Sequence, residues 1–208
     1  MRKLSLVAVI LMAFSAFASA QTADEIIDRM NKEMDKGDAE GFSMIFEMRF
    51  PILGQMSTLM KLLGDYSRSE VEIKGEKNIM WMVKDTSWTY TPKSNEIVIE
   101  YVKRSGDSSN NQQDMVRDVA KGYDVKLVGE TADTWQIRCD KSKSNKVKDD
   151  PKRMDLVVSK ANYLPVSMIA KAKGVTITIR DYSLGVKKAE VTFDPSAYPG
   201  VTITDKRQ

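Results

Sequence analysis

The sequence predicts an α+β fold: a single strongly curved, incomplete antiparallel β-barrel of about ten strands, with an N-terminal helix and a short lid helix over its concave apolar face. Three observations predict it. One amphipathic helical pattern follows residue 20. Short alternating segments separated by turn residues fill most of the chain beyond residue 41. One further helical pattern, near residues 114–121, interrupts them. Two or three helices are too few to cover so wide a sheet from outside, so they suit its concave side, leaving an interior that is either a packed core or an apolar cavity.

The elements follow in order. Residues 22–36 carry Ile26, Ile27, Met30 and Met34 at helical spacing. Thr22 and Glu25 form a capping-box pattern, and Gly37 is the expected stop. In residues 42–50, Phe42, Met44, Phe46, Met48 and Phe50 share one face of a strand that Pro51 ends. Met56, Leu59, Met60 and Leu63 fit a short helix over 55–63, with a strand through Leu59 to Tyr66 as the alternative. Strands are expected at 69–74, 78–84, 87–91 and 96–102. Turn-like connections such as Lys74-Gly75 and Lys84-Asp85 make them a meander. Residues 104–113 read as a polar loop, and 114–121 as a short helix presenting Met115, Val116 and Val119. Further strands are expected at 124–129, 134–140, 154–159, 166–172, 176–182 and 188–193, before a Pro-punctuated tail with a short terminal strand. No linker divides the chain, so residues 21–208 form one domain.

Residues 1–20 follow another logic. Arg2 and Lys3 precede an apolar run from Leu4 to Phe17, and Ala18-Ser19-Ala20 is a small-x-small cleavage site. This is the pattern of a secretory signal peptide cleaved after Ala20; an uncleaved anchor is the alternative. Cleavage leaves Gln21 first and no cysteine for lipid attachment, so a soluble exported protein is expected, without stable membrane insertion.

Composition removes whole function classes. The chain of 208 residues has no histidine, which excludes Ser-His-Asp triads and histidine metal sites. One cysteine, Cys139, excludes an intrachain disulfide and is expected as a buried small hydrophobe. A net charge of +3, with acidic and basic residues interspersed, argues against a nucleic-acid binder. No G-x-S-x-G motif and no metal-ligand spacing point to an enzyme, and no cofactor is expected. The basic run from Lys141 to Arg153 is a solvated hairpin loop or a docking patch for an acidic partner or anionic headgroups.

Two segments carry a resemblance to a known family. The tail Phe193-Asp194-Pro195, Pro199-Gly200-Val201-Thr202-Ile203-Thr204-Asp205 resembles the ending of the periplasmic lipoprotein carriers, the LolA-like proteins. Asp85-Thr86-Ser87-Trp88-Thr89-Tyr90 resembles their "D-G-x-x-x-W-x-Y" hairpin without its glycine. The order of elements and the export segment extend the likeness over nearly all of the chain after residue 20. The resemblance implies a periplasmic, monomeric carrier that holds lipoprotein acyl chains and moves them from the inner to the outer membrane. Its implied partners are acylated lipoproteins or other lipids, an inner-membrane release complex and an outer-membrane acceptor. The family's early Arg-Pro pair is missing, and Arg68 is the nearest candidate for a lid contact. The departures around 51–68 motivate the alternative of a lipid-binding sensor or regulatory envelope protein on the same fold.

Phe42, Met44, Phe46, Met48, Phe50, Met80, Met82, Trp88, Tyr90, Met115 and Val119 are the candidate cavity lining. Methionine is flexible and polarizable, which suits both gap-filling in a core and an adaptable apolar wall. Trp81, Trp88 and Trp135 likewise serve as core anchors or cavity lining.

Overall fold

The computed structural model describes residues 21–102, 117 and 119–207. Helix α1, Ala23–Asp35, opens with the expected cap: the Glu25 amide donates to Thr22 Oγ1 (3.2 Å), and the Thr22 amide donates to the Glu25 carboxylate (3.0 Å). Gly37 does not stop the chain's helical course. It begins a further single turn, α2, Gly37–Glu40, and Gly41 ends it at φ +73°. A side chain at Gly41 would place its Cβ 2.5 Å from the Leu62 carbonyl, so only glycine fits there.

Twelve strands follow in one sheet: β1 Phe42–Phe50, β2 Gly54–Leu63, β3 Tyr66–Ile73, β4 Glu76–Val83, β5 Thr86–Thr91, β6 Glu96–Tyr101, β7 Tyr123–Glu130, β8 Thr134–Lys141, β9 Arg153–Ser159, β10 Pro165–Ala172, β11 Val175–Leu184 and β12 Thr202–Asp205. Their order is β12-β6-β5-β4-β3-β2-β1-β11-β10-β9-β8-β7. The sheet is curled and not closed, an incomplete barrel with few helices, as the sequence predicted.

Four expectations need correction. The sheet is two meanders, β1–β6 and β7–β11, joined by the long-range antiparallel pair β1–β11. β12 pairs parallel to β6. Residues 55–63 are strand, not helix. Leu59 and Leu63 lie on the face opposite Met56, Met60 and Leu62, and a strand that is apolar on both faces imitates helical spacing. Residues 188–193 are not a strand. Lys188–Val191 form one helical turn, α3, at whose start the Glu190 carboxylate accepts from the Lys187 amide (2.9 Å). The helix expected at 114–121 falls largely outside the described residues, Met115 included; Val119 is within them and buried.

The core lies between α1 and one face of the sheet, here the helix face. Ile26, Ile27, Met30 and Met34 are 0–1% exposed. They meet Met44 and Phe46 of β1, Ile137 and Cys139 of β8, Leu156 of β9, Met168 of β10 and Ile179 of β11. Each such side chain contributes about 1.5–3 kcal/mol by leaving water. A bulge fits β11 to this face. Between Ser43 and Ile45 the register slips, Asp181 takes φ +57°, and Tyr182 turns inward to stack on Phe42 at 5.6 Å.

Ile137→Ala should therefore cost about 3 kcal/mol, within the range for large-to-small changes at sealed sites. Urea unfolding followed by tryptophan fluorescence checks this, and a loss under 1 kcal/mol would show that α1 does not seal this part of the sheet.

Candidate functional site

Register alone assigns the faces. Met44 pairs with Met60, Met60 with Ser69, Ser69 with Met80 and Met80 with Thr89. The neighbouring row runs Phe42, Leu62, Ser67, Met82, Ser87. Directly paired residues point to the same side of a sheet, so both rows lie on the helix face. Met48 and Met56 form a further pair on that face, Met154 and Met168 sit in its core, and Met30 and Met34 come down onto it from α1. Every methionine among the described residues thus belongs to one compartment.

That compartment has two sectors. Under α1, from β1 across β11 to β8, the residues are sealed; Met44, Met168 and Cys139 are at most 1% exposed. Over β2 to β5 the face is looser. Met56, Met60 and Met82 are half-buried, and Met80 is 37% exposed. Here Met60 stands beside Ser69, Met80 between Ser69 and Thr89, and Met82 between Ser67 and Ser87, while Met56 pairs with Met48 and Ile73. Long pliable side chains therefore stand between short polar ones in this sector.

The sequence-predicted lining divides accordingly. Phe42, Met44 and Phe46 belong to the sealed core, as does Val119; Met48 packs at its border. Phe50, on the same strand face as Met48, is half-buried at the end of β1. Met80 and Met82 occupy the looser sector. Trp88 and Tyr90 are on the opposite face, because Trp88 pairs with Trp81 and Tyr90 with Ile79. Alternation within β4 carried a warning: Trp81 and Met80 are consecutive and cannot share a face. Met56 and Met60 escaped the sequence reading because their segment was read as a helix; their two-residue spacing with Thr58 and Leu62 was the available signal.

The opposite face is closed by the tail. Phe193 lies against Trp81 (5.3 Å between ring centres) and Trp88 (6.1 Å), while Tyr198 reaches Tyr90 at 4.6 Å. Val191 is fully buried there, and Lys61 of β2 pairs with Glu190 of α3. That contact, with the Lys187 amide, holds the Glu190 carboxyl below its ordinary pKa. Arg68 also lies on this face. Its guanidinium stands 5.6 Å over the Trp81 ring and pairs with Glu70 at 2.6 Å. The lid helix expected to meet it falls largely outside the described residues. The family-like tail motif thus serves to cover an aromatic cluster, and Trp135 stacks with Tyr163 on the helix face.

The titratable groups packed at the helix face are held neutral by burial. Burial, with Asp155 and Asp140 nearby, pushes the Cys139 thiol up to about 12, so no thiolate forms near neutral pH. Burial likewise pushes the Tyr123 hydroxyl up to about 12, with Asp150 adding to the shift. Among the described residues, no cluster of three acidic or thiol side chains could hold a metal ion. No described helix is long and apolar enough to cross a membrane.

An open sheet curled around one helix is a fold found among solved structures. No protein-family model and no curated protein matches the chain. Solved structures do. The lipoprotein LppX of Mycobacterium tuberculosis aligns with a TM-score of 0.52 at 8% identity, over 79% of this chain and 97% of that one. A conserved protein of Thermus thermophilus aligns at 0.45 and 16% identity, over 88% and 99%. A LolA superfamily protein of Nitrosomonas europaea aligns at 0.33 and 12%, over 85% and 100%. The mycobacterial likeness shows the fold alone.

Cys139 gives a direct check on the sealed sector. In the native protein a thiol reagent should leave it unmodified for hours at pH 8, and react within minutes in 6 M guanidinium. The shift also has a stability consequence. A thiol and a phenol held neutral by the fold stabilise it fully below their unfolded pKa values of about 9 and 10. Stability should then fall as pH rises from about 9 toward 12, and Cys139→Ala should remove part of that slope in urea titrations.

Proposed function

We propose that the protein is a carrier of acyl chains in the bacterial envelope. It is exported by cleavage after Ala20 and works in the periplasm as a monomer. There it shields the lipid moiety of lipoproteins between the inner and outer membranes. The observation that carries this reading is the segregation of every described methionine to one face, with the looser methionine–hydroxyl sector beside a sealed core. A carrier must hold its cargo firmly yet release it. Each methylene buried contributes about 0.8 kcal/mol, so a few turns of an acyl chain bind strongly. A wall of flexible side chains accepts chains of different length without a rigid fit. The resemblance to the LolA-like proteins and the export pattern support the same reading. The lining proposed is Met56, Met60, Met80 and Met82, continued by Met48 and Phe50 at one end. The loading and accepting partners proposed are an inner-membrane release complex and an outer-membrane acceptor.

The test is transfer. The exported protein, incubated with inner membranes carrying a labelled lipoprotein, should release label as a soluble one-to-one complex and pass it to outer-membrane acceptor. A protein that binds lipid but releases no lipoprotein would instead be a lipid-responsive regulator. At residue level, Met80→Glu should weaken binding of a fluorescent fatty acid at least tenfold, about 1.4 kcal/mol, with little change in stability, since Met80 is partly exposed. Phe193→Ala should do the reverse. It should cost about 2 kcal/mol of stability, less than the usual loss for a fully buried ring, and leave fatty-acid affinity unchanged. Equal effects of the two substitutions on fatty-acid binding would show that the helix face is not the site.

A further inference from the structure

The two rims of the sheet differ in a way that the acyl-binding face does not explain. Antiparallel order puts the turns β1–β2, β3–β4, β5–β6, β8–β9 and β10–β11 on one rim, and β2–β3, β4–β5, β7–β8 and β9–β10 on the other. The first rim carries an exposed apolar tip. In the β1–β2 turn, Pro51-Ile52-Leu53, Ile52 is 94% exposed and Leu53 65%. These are the two most exposed large hydrophobic residues among those described.

Lysines surround the tip. Lys74 occupies the β3–β4 turn, Lys93 the β5–β6 turn, Lys173 the β10–β11 turn, and Lys143, Lys146 and Lys148 the β8–β9 loop. These pieces adjoin one another. A Cβ on Gly174 would stand 3.9 Å from Pro51, and Lys173 pairs with Asp149 of the β8–β9 loop at 2.7 Å. A groove of about 660 Å³ between that loop and β10 is bordered by six basic residues, Lys148 and Lys171 among them, against three aspartates, Asp149, Asp150 and Asp155. Lys74, Lys148 and Lys171 have no carboxylate partner among the described residues. Among the described residues the opposite rim has no such turn, and its turns place Asp65, Asp85 and Asp133 beside Lys84 and Lys160.

We infer that the β1–β2 rim docks onto an anionic bilayer surface, with Ile52 and Leu53 entering the headgroup boundary and the surrounding lysines meeting lipid phosphates. The occupant follows from shape and charge together. A narrow protruding apolar turn ringed by cations matches a lipid interface, where apolar insertion and electrostatic attraction add. A flat apolar patch would instead match a protein surface. The tip also leads inward. Ile73, 46% exposed at this rim, pairs with Met56, which pairs with Met48 on the helix face. An acyl chain leaving the bilayer at the tip meets a continuous apolar path to the methionine sector. That role for the path rests on the carrier reading; the docking itself does not.

The experiment is vesicle co-sedimentation of the protein expressed with its own N-terminal segment and purified after export. Vesicles are phosphatidylethanolamine alone, or phosphatidylethanolamine with phosphatidylglycerol. Binding to the anionic vesicles should be at least tenfold stronger than to neutral ones and should fall as salt rises. Ile52→Ser with Leu53→Ser should reduce it about tenfold. Lys74→Glu with Lys148→Glu should reduce it similarly and weaken its salt dependence. Both double variants should keep wild-type unfolding temperature and wild-type fatty-acid affinity, since all four side chains are exposed. Wild-type protein that ignores both vesicles overturns the docking while leaving the carrier untouched. So does vesicle binding that the tip variant does not change, or a dimer that the tip variant dissociates.

Discussion

The pairing of β1 with β11 is the contact on which the architecture turns. It joins two meanders that would otherwise be separate curled sheets, and it is made between residues more than a hundred positions apart. Its register sets Phe46 beside Ile179 and Met48 beside Ile177, so the apolar faces of both meanders become one surface. The bulge at Asp181 changes the alternation of β11, so that both Ile179 and Tyr182 turn toward α1. Polar contacts on the other side hold the same register. The Ser43 and Ser183 hydroxyls meet at 2.9 Å, and Glu47 pairs with Arg180 at 2.8 Å, a contact that raises the Arg180 pKa. Polar contacts at or near the surface are worth little each. The apolar surface that the pairing makes continuous is what α1 then seals.

From that surface the division of labour follows. One helix of thirteen residues covers only part of a twelve-stranded sheet. The strands beneath it pack to completion, while β2 to β5 keep half-buried methionines. On the reverse face those same strands are held by a different device. The tail crosses them with α3, Phe193 and Tyr198, and β12 then adds a parallel edge to β6. The aromatic cluster stiffens the sector from behind, so its helix face can remain loosely packed without the strands losing their pairing.

Much of the fold was legible because alternation and turn chemistry are local. The sequence placed β1, the capping box of α1 and most strand positions without reference to any contact. It failed where a strand is apolar on both faces, as in 55–63, because burial on two sides erases the period that distinguishes strand from helix. It failed also at 188–193, where four residues make a helical turn by side-chain capping and by docking Glu190 on Lys61. Neither depends on a period.

The candidate site shows the same boundary. The sequence by itself determined that methionines and aromatics alternate along β1, β4 and β5, and which of them share a face within each strand. It determined the export pattern and the loss of histidine chemistry as well. Only the tertiary structure decided which strand faces coincide. A one-residue change of register would send Trp88 to the methionines and Thr89 to the tail, since side-chain direction has a period of two. The pairing of Trp81 with Trp88 fixes that choice through cross-strand packing and a tail arriving from a hundred residues away. That is long-range packing, which no local pattern encodes.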